Sequence, residues 1–189
     1  LNQSDIIERI KKGDYNVFTE IVDACKNMVY NTALAIVQNE EDAEDITQDV
    51  FVQVYESIKN FRAESKLSTW IYKITLSKAL DFEKKKKRQK QGGLLKRIFN
   101  SSATDDVPNF NHPGIELDKK EDAAVLFKAI NKLSEKQKLA FMLNKLEGLN
   151  NQEIADVLNV TFMAAESLQA RAKNNLKTIL KEYYNQHFK

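Results

Sequence analysis

The chain is poor in the residues that staple, turn or ligate. One cysteine and two histidines in 189 residues exclude a disulfide framework and most structural zinc sites, which take four such ligands. Two prolines and five glycines are too few for a turn-rich β fold, because tight turns consume them. No stretch approaches the roughly 18 consecutive apolar residues of a membrane span. No signal peptide opens the sequence, so a cytoplasmic location is expected. There is no glycine-rich phosphate loop, and His112 and His187 stand apart from any nucleophile or paired acid. No catalytic set, cofactor or metal is therefore expected, and the chain is not read as an enzyme. The net charge is only +2, whereas a protein that holds nucleic acid unaided neutralises several phosphates. Any such binding needs local basic patches or a partner that supplies affinity.

What is present is apolar and charged. Hydrophobic residues make up 42% and charged residues 30%, a globular composition rather than a disordered one. The charges are segregated. Asn39–Asp49 carries six acids and no base, and Lys84–Lys90 carries six bases and no acid. Two such surfaces suit two different partners, although solvated helix faces would also explain them. Both prolines (Pro108, Pro113) and three glycines (Gly92, Gly93, Gly114) fall between 91 and 114. This composition reads as a flexible linker over 91–118, dividing a domain at 1–90 from one at 119–189. Within it, Leu94–Phe99 is a short basic-apolar piece. At about 3.3 Å per residue such a linker reaches on the order of 80 Å, enough for the two halves to touch separate sites on one duplex.

Both halves read as helices, giving an all-α fold of two small domains. In the first, Asp5 and Glu8 form an expected capping box and Gly13 a stop. Val17, Phe18, Ile21, Val22 and Cys25 begin the buried stripe of a second helix, with Cys25 read as core. The third helix follows Asn39. Ala43, Val50, Phe51, Val54 and Ile58 share its inner face, and Glu41, Asp45, Gln48, Asp49, Val52 and Glu56 its outer one. Acids in the first turn serve the helix dipole, which leaves Asp45, Gln48 and Asp49 for a basic protein partner. A fourth helix, from Ser68 to about Lys85, has apolar residues on two sides and is expected to be packed on both or to show some to a ligand.

In the second half, a helix over Ala123–Leu133 precedes an expected capping box at Ser134–Gln137 and a helix to Leu146. Gly148 ends it, and Asn150–Glu153 is a further capping box opening a short helix to Leu158. After the turn Asn159–Val160–Thr161, a long helix runs to about Tyr184 with Ala165, Leu168, Ala172, Leu176 and Ile179 inward. Short helix, tight turn and longer helix describe a helix-turn-helix, with small Ala155 at the close approach and Val160 as a plug. The outward residues Met163, Glu166, Ser167, Ala170, Lys173, Asn174 and Lys177 would meet a major groove. Glu, Ser and Ala suit base edges, whereas Arg171 and the lysines suit phosphates.

Between the third and fourth helices, Phe61, Arg62, Trp70, Tyr72, Lys73 and Lys78 mix aromatics with cations. This is the chemistry that holds a single strand by stacking in a basic groove, and Ser65, Ser68 and Thr69 could line a pocket for a flipped base. On these residues alone, the reading of Trp70 and Tyr72 as core stays open.

Three segments in order carry a resemblance. Asp42–Phe51, Phe61–Ile74 and Leu146–Leu158 with the helix after it resemble the core-binding, minus-ten and minus-thirty-five segments of the extracytoplasmic-function sigma factors. The resemblance implies a subunit that binds core RNA polymerase and directs promoter recognition, melting and initiation. It implies that Asp42, Asp45, Gln48, Asp49 and Phe51 form or support the polymerase surface. Phe61, Arg62, Ser65, Thr69, Trp70, Tyr72, Lys73, Ser77 and Lys78 would capture and hold the melted minus-ten strand. Thr161, Met163, Glu166, Ser167, Ala170, Arg171 and Lys173 would bind the minus-thirty-five duplex. It also implies control by an anti-sigma factor. Ser77 stands where the family often has Asn, Ser134 where Pro is frequent, and Glu166 where many members have a basic residue. The segments Glu166–Leu168 and Arg171–Lys173 resemble the Bacteroidetes subgroup. The competing readings are a stand-alone helix-turn-helix regulator and an RNA-binding protein using residues 60–90.

Overall fold

The computed structural model describes residues 3–14, 16–94 and 120–187. Every regular element among them is helical, and the chain divides into two units, Leu1–Asp106 and Val107–Lys189. The first unit holds α1 (Gln3–Lys11), α2 (Asn16–Val37), α3 (Glu40–Ser57), a 3-10 turn (Ile58–Asn60) and α4 (Leu67–Leu94). The second holds α5 (Lys120–Asn131), α6 (Glu135–Lys145), α7 (Asn151–Leu158) and α8 (Phe162–His187).

Helix α1 starts before the expected cap. Asp5 falls in its first turn, near the positive end of the dipole and 3.6 Å from Arg9, so it does not serve as the N-cap. Gly13 does stop the helix. Its φ of 78° lies in the left-handed region, and the amides of Gly13 and Asp14 turn back to Ile10 and Arg9 carbonyls. A Cβ there would meet nothing within 4 Å, so the requirement is conformational rather than steric. The Asp14 carboxylate then accepts from the Asn16 amide at 3.0 Å, starting α2. Arg9 spans this turn. Its Nε donates to Asp14 at 2.9 Å and its two terminal nitrogens to Glu20 at 3.1 and 2.7 Å. The guanidinium holds both carboxyls below their ordinary range.

Helices α2, α3 and α4 pack on one another. Ile21, Val29, Ala33 and Leu34 of α2, Ala43, Val50 and Val54 of α3, and Ile71 and Ala79 of α4 are fully buried. Truncating one of the large members, such as Ile71→Ala, costs about 2–5 kcal/mol. Cys25 is half-buried on α2, and burial pushes its thiol pKa up, toward the unreactive form. Asn39 caps α3 by accepting from the Asp42 amide at 2.8 Å.

Helix α4 outruns its expected end at Lys85 and continues through Gly92 and Gly93 to Leu94. Residues 83–91 are all Glu, Lys, Arg or Gln, which propagate a helix well, and the glycines enter only in its last turn. The linker expected at 91–118 therefore begins inside a helix. The remainder of that segment, with both prolines, most of Leu94–Phe99 and His112, lies outside the described residues.

In the second unit, α5 ends at Asn131, short of Leu133, because the amides of Lys132 and Leu133 turn back to Ala129 and Ile130 in the tighter 3-10 pattern. Ser134 has N-cap backbone geometry, but its side chain makes no capping bond. The Gln137 carboxamide oxygen instead accepts from Asn175 of α8 at 3.1 Å, a tertiary contact that replaces the expected local one. At α7 the capping box does form. Asn150 accepts from Gln152 and Glu153 amides at 2.9 and 3.0 Å, and its own amide donates to Glu153 at 3.1 Å. Phe127, Ile130, Ala140, Leu143, Ile154, Ala165 and Ala172 form the core. Leu168 and Ile179, expected inside, are only half-buried.

Candidate protein and nucleic-acid interfaces

The outer face of α3 is set by its inner one. With Ala43, Ile46 and Val50 buried, the 3.6-residue period turns Asp45, Gln48 and Asp49 outward, and all three are exposed. Phe51 is half-buried beside them. Asp42 differs. Its carboxylate accepts from the Lys86 ammonium of α4, so it is a contact between α3 and α4 rather than an open part of the acidic face. The negative field of the helix start reaches Tyr30, whose phenol pKa is raised first by burial and then by Glu40 and Glu44.

Two apolar residues continue this face. Val52 is 57% and Tyr55 49% exposed. The Tyr55 ring meets Phe18 of α2 edge-on at 5.0 Å, at the lip of a cavity of about 190 Å³ also lined by Ile10, Val17 and Ile58. From the sequence, Val52 is expected to point outward but has no assigned role, and Tyr55 is not singled out. The signal was there, since Tyr55 lies two helical turns beyond Gln48 on the same side.

Between α3 and α4 the chain forms a short loop. Phe61 and Trp70 bracket it, their ring centroids 5.1 Å apart and tilted by 39°. Ala63 sits at φ 58°, a left-handed conformation costing a side-chain-bearing residue on the order of 1 kcal/mol. The Trp70 amide closes the first turn of α4 on the Lys66 carbonyl at 3.1 Å. Arg62, Lys73 and Ser77 are exposed, while Ser65 and Lys78 are half-buried. Thr69 and Tyr72 are not surface groups, at 5% and 7% exposure. They lie on the side of α4 that packs inward, so they support the loop rather than offer contact to a strand, and the expectation of direct contact is corrected for both.

The helix-turn-helix is built from backbone outward. Asn159 takes the left-handed conformation at φ 52°, and its amide and that of Val160 both turn back to the Ala155 carbonyl. Asn tolerates this geometry, and buried Ala155 has no bulk to obstruct the approach. Val160 is half-buried in the turn. The Thr161 hydroxyl accepts from the Ala164 amide at 3.2 Å and caps α8. Gln169 of α8 donates to Asn151 at the start of α7 at 2.5 Å, fixing one helix against the other. This leaves Met163 69% exposed, with Glu166, Ala170, Arg171 and Lys173 also outward and Ser167 half-buried. Phe162, 45% exposed beside Met163, is a surface aromatic that the sequence did not single out.

The Sigma-70 region 2 family matches residues 21–89, on the first unit. The Sigma-70, region 4 family matches residues 124–176, on the second, and the two together take in nearly two thirds of the chain. The chain belongs to the sigma-70 family. It is 27% identical over 183 residues to the "ECF RNA polymerase sigma factor SigW" of Bacillus subtilis, covering 93% of this chain and 95% of that one. It is also 27% identical over 179 residues to the "ECF RNA polymerase sigma-E factor" of Haemophilus influenzae, covering 94% of each. Among solved structures it is similar to the Bartonella quintana sigma factor RpoE in complex with the anti-sigma factor NepR. The TM-score is 0.64 at 22% identity, over 87% of this chain and 96% of that one. It is similar also to CnrH in complex with the cytosolic domain of CnrY, with a TM-score of 0.68 at 19% identity, over 94% and 96% of the two chains. The protein is thus a sigma factor of the extracytoplasmic-function group, and it directs core RNA polymerase to promoters. Among the described residues of this sigma factor, no helix is long and apolar enough to cross a membrane, and no side-chain cluster could hold a metal ion.

Proposed function

We propose that the sigma factor divides its work by surface. Asp45, Gln48 and Asp49 dock α3 on a basic face of core polymerase, with Val52 and Tyr55 adding apolar area and Phe51 supporting them from beneath. Asp42 positions α3 through Lys86. Phe61, Arg62, Ser65 and Trp70 receive the opened minus-ten strand, and Lys73, Ser77 and Lys78 continue that path along α4. Buried Thr69 and Tyr72 hold the loop. Thr161, Met163, Glu166, Ser167, Ala170, Arg171 and Lys173 present α8 to the minus-thirty-five duplex. Residues 1–90 then carry polymerase and minus-ten binding, residues 119–189 minus-thirty-five binding, and 91–118 join them.

One observation supports this reading most. A row of exposed acids, with no ion-pair partner among the described residues, continues into two exposed hydrophobic side chains on the same helix. The Tyr55 ring is held by Phe18, so the apolar extension of the acidic face is fixed in place, as a docking surface requires. The low net charge fits as well, because polymerase supplies most of the hold on DNA. The protein works in the cytoplasm and is not an enzyme. An anti-sigma factor covers these surfaces when it is idle, a reading supported by a similar fold solved as a sigma factor in complex with an anti-sigma factor. A Bacteroidetes-subgroup membership is part of this reading, supported by the resemblance of the Glu166–Leu168 and Arg171–Lys173 segments.

The test is Asp45→Arg combined with Asp49→Arg in the full chain. Polymerase binding should be lost while the helical circular dichroism and melting temperature stay unchanged. Polymerase binding that survives this charge reversal contradicts the reading. Tight, promoter-specific DNA binding without polymerase would favour the stand-alone regulator.

A further inference from the structure

Phe162 opens α8, and none of the proposed surfaces uses it. Its side chain is 45% exposed, and Met163 beside it is 69% exposed. This exposure belongs to the fold, not to fraying of the helix end. The Thr161 carbonyl accepts from the Ala165 amide at 3.0 Å and its hydroxyl from the Ala164 amide at 3.2 Å, closing the first turn. Ala165, fully buried three residues on, fixes the rotation of that turn. At 100° per residue, Phe162 lies about 60° around the helix from Ala165, and Met163 about 160°. Glu166 follows Phe162 one turn later on the same side, about 100° from Ala165, and Lys173 lies between them in angle at about 80°.

These neighbours say what covers the ring. Glu166, Arg171 and Lys173 are exposed on the same helix. Cations suit phosphates, and a carboxylate suits the amino group of cytosine, so the ring stands among groups that meet duplex DNA. In a helix-turn-helix, the first residues of the second helix are the ones that reach base edges in the major groove. Every group on those edges is a hydrogen-bond donor or acceptor except one, the 5-methyl group of thymine. A phenyl ring has no hydrogen bond to offer. Set against any other base it strips water from a polar edge and returns nothing. Set against thymine it buries the methyl group and part of itself. Met163, unbranched and flexible, can fill the gap beside the ring.

We propose that Phe162 is a specificity-determining residue, its ring packing on the 5-methyl group of a thymine in the minus-thirty-five duplex, with Met163 shielding that contact from water. This rests on the assignment of α8 to the minus-thirty-five element.

The test removes one methyl group at a time. The parent holoenzyme first selects its minus-thirty-five element from a randomised promoter library. Synthetic promoter duplexes then carry deoxyuridine in place of each thymine of that element, on either strand, which deletes the methyl and keeps the base pair. At one position the parent should lose about fourfold in affinity, the worth of one buried methyl group. Phe162→Ala keeps a helix former at an exposed position, so the fold should survive. It should bind the thymine and deoxyuridine duplexes alike at that position. Lys173→Gln should weaken both duplexes by the same factor and preserve the ratio. A thymine preference that survives in Phe162→Ala overturns the proposal, as does a parent indifferent to every methyl or a selected element without thymine. Weakened binding of Phe162→Ala to core polymerase in the absence of DNA would make the ring a protein contact and overturn it too. A parent whose affinity is unchanged when the whole element is scrambled would overturn the assignment of α8 itself, and this proposal with it.

Discussion

The ammonium of Lys86, in the basic run of α4, donates to the carboxylate of Asp42 in the first turn of α3, 44 residues earlier. One bond thus joins the sequence's most acidic segment to its most basic one, and it ties α3, the helix proposed to dock on polymerase, to α4, the helix proposed to meet DNA.

That pairing separates Asp42 from Asp45 and Asp49. Lys86→Met and Asp42→Asn should each lower the melting temperature slightly. Their double-mutant cycle should show a coupling of about 0.5 kcal/mol, as for other partly exposed pairs. Lys86→Met should leave polymerase affinity near the parent value. A coupling near zero would mean that the two side chains do not sense each other.

Phe61 and Trp70 are in ring contact at the loop expected to receive a base. Trp70→Ala should lower transcription from a closed promoter by about 5- to 150-fold, because one base–aromatic stack is worth about 1–3 kcal/mol. A template already opened across the minus-ten element should recover most of that loss. Equal loss on both templates would assign Trp70 to folding rather than to opening.

Thr161 and Glu166 have separable roles on α8. Thr161→Ala removes the cap on Ala164 and should cost about 1 kcal/mol of stability in the second unit. Glu166→Gln should leave stability alone and alter base preference at one minus-thirty-five position, read by selection from a randomised promoter library. A uniform rise in affinity for every sequence would show instead that Glu166 only repels phosphate.

Arg9 gives the first unit an acid-sensitive contact. Asp14 and Glu20 have their pKa values lowered by its hydrogen bonds. A depressed carboxylate pKa contributes stability that is present above the unfolded value and lost as pH falls through the folded one. Arg9→Gln should therefore melt at a lower temperature than the parent at neutral pH. The gap should close below about pH 4, where carboxylates begin to protonate. A gap constant across that range would remove the carboxylates from the account.

The local features were legible in the sequence because local chemistry decides them. Asn150 caps the helix it was expected to cap, α3 begins directly after Asn39, and Ala155 is buried where two helices meet. The apolar residues on two sides of α4 correctly signalled a helix packed on more than one face. Thr69 and Tyr72 were nonetheless assigned to DNA binding through the family resemblance, because a motif match does not say which of its side chains stay open. One failure elsewhere has a tertiary cause. Gln137 leaves its expected capping box for Asn175, so a residue distant in sequence outcompetes a near one. Tyr55 was missed for a different reason, since an aromatic on a helix reads as core until its exposure is seen.

The most direct measurement is reconstituted transcription with purified protein, core RNA polymerase of the same bacterium and sheared genomic DNA, with start sites mapped for the parent and for Asp45→Arg with Asp49→Arg. The account predicts discrete starts sharing two upstream elements for the parent and none for the variant. A parent that neither binds core polymerase nor yields discrete starts would contradict it.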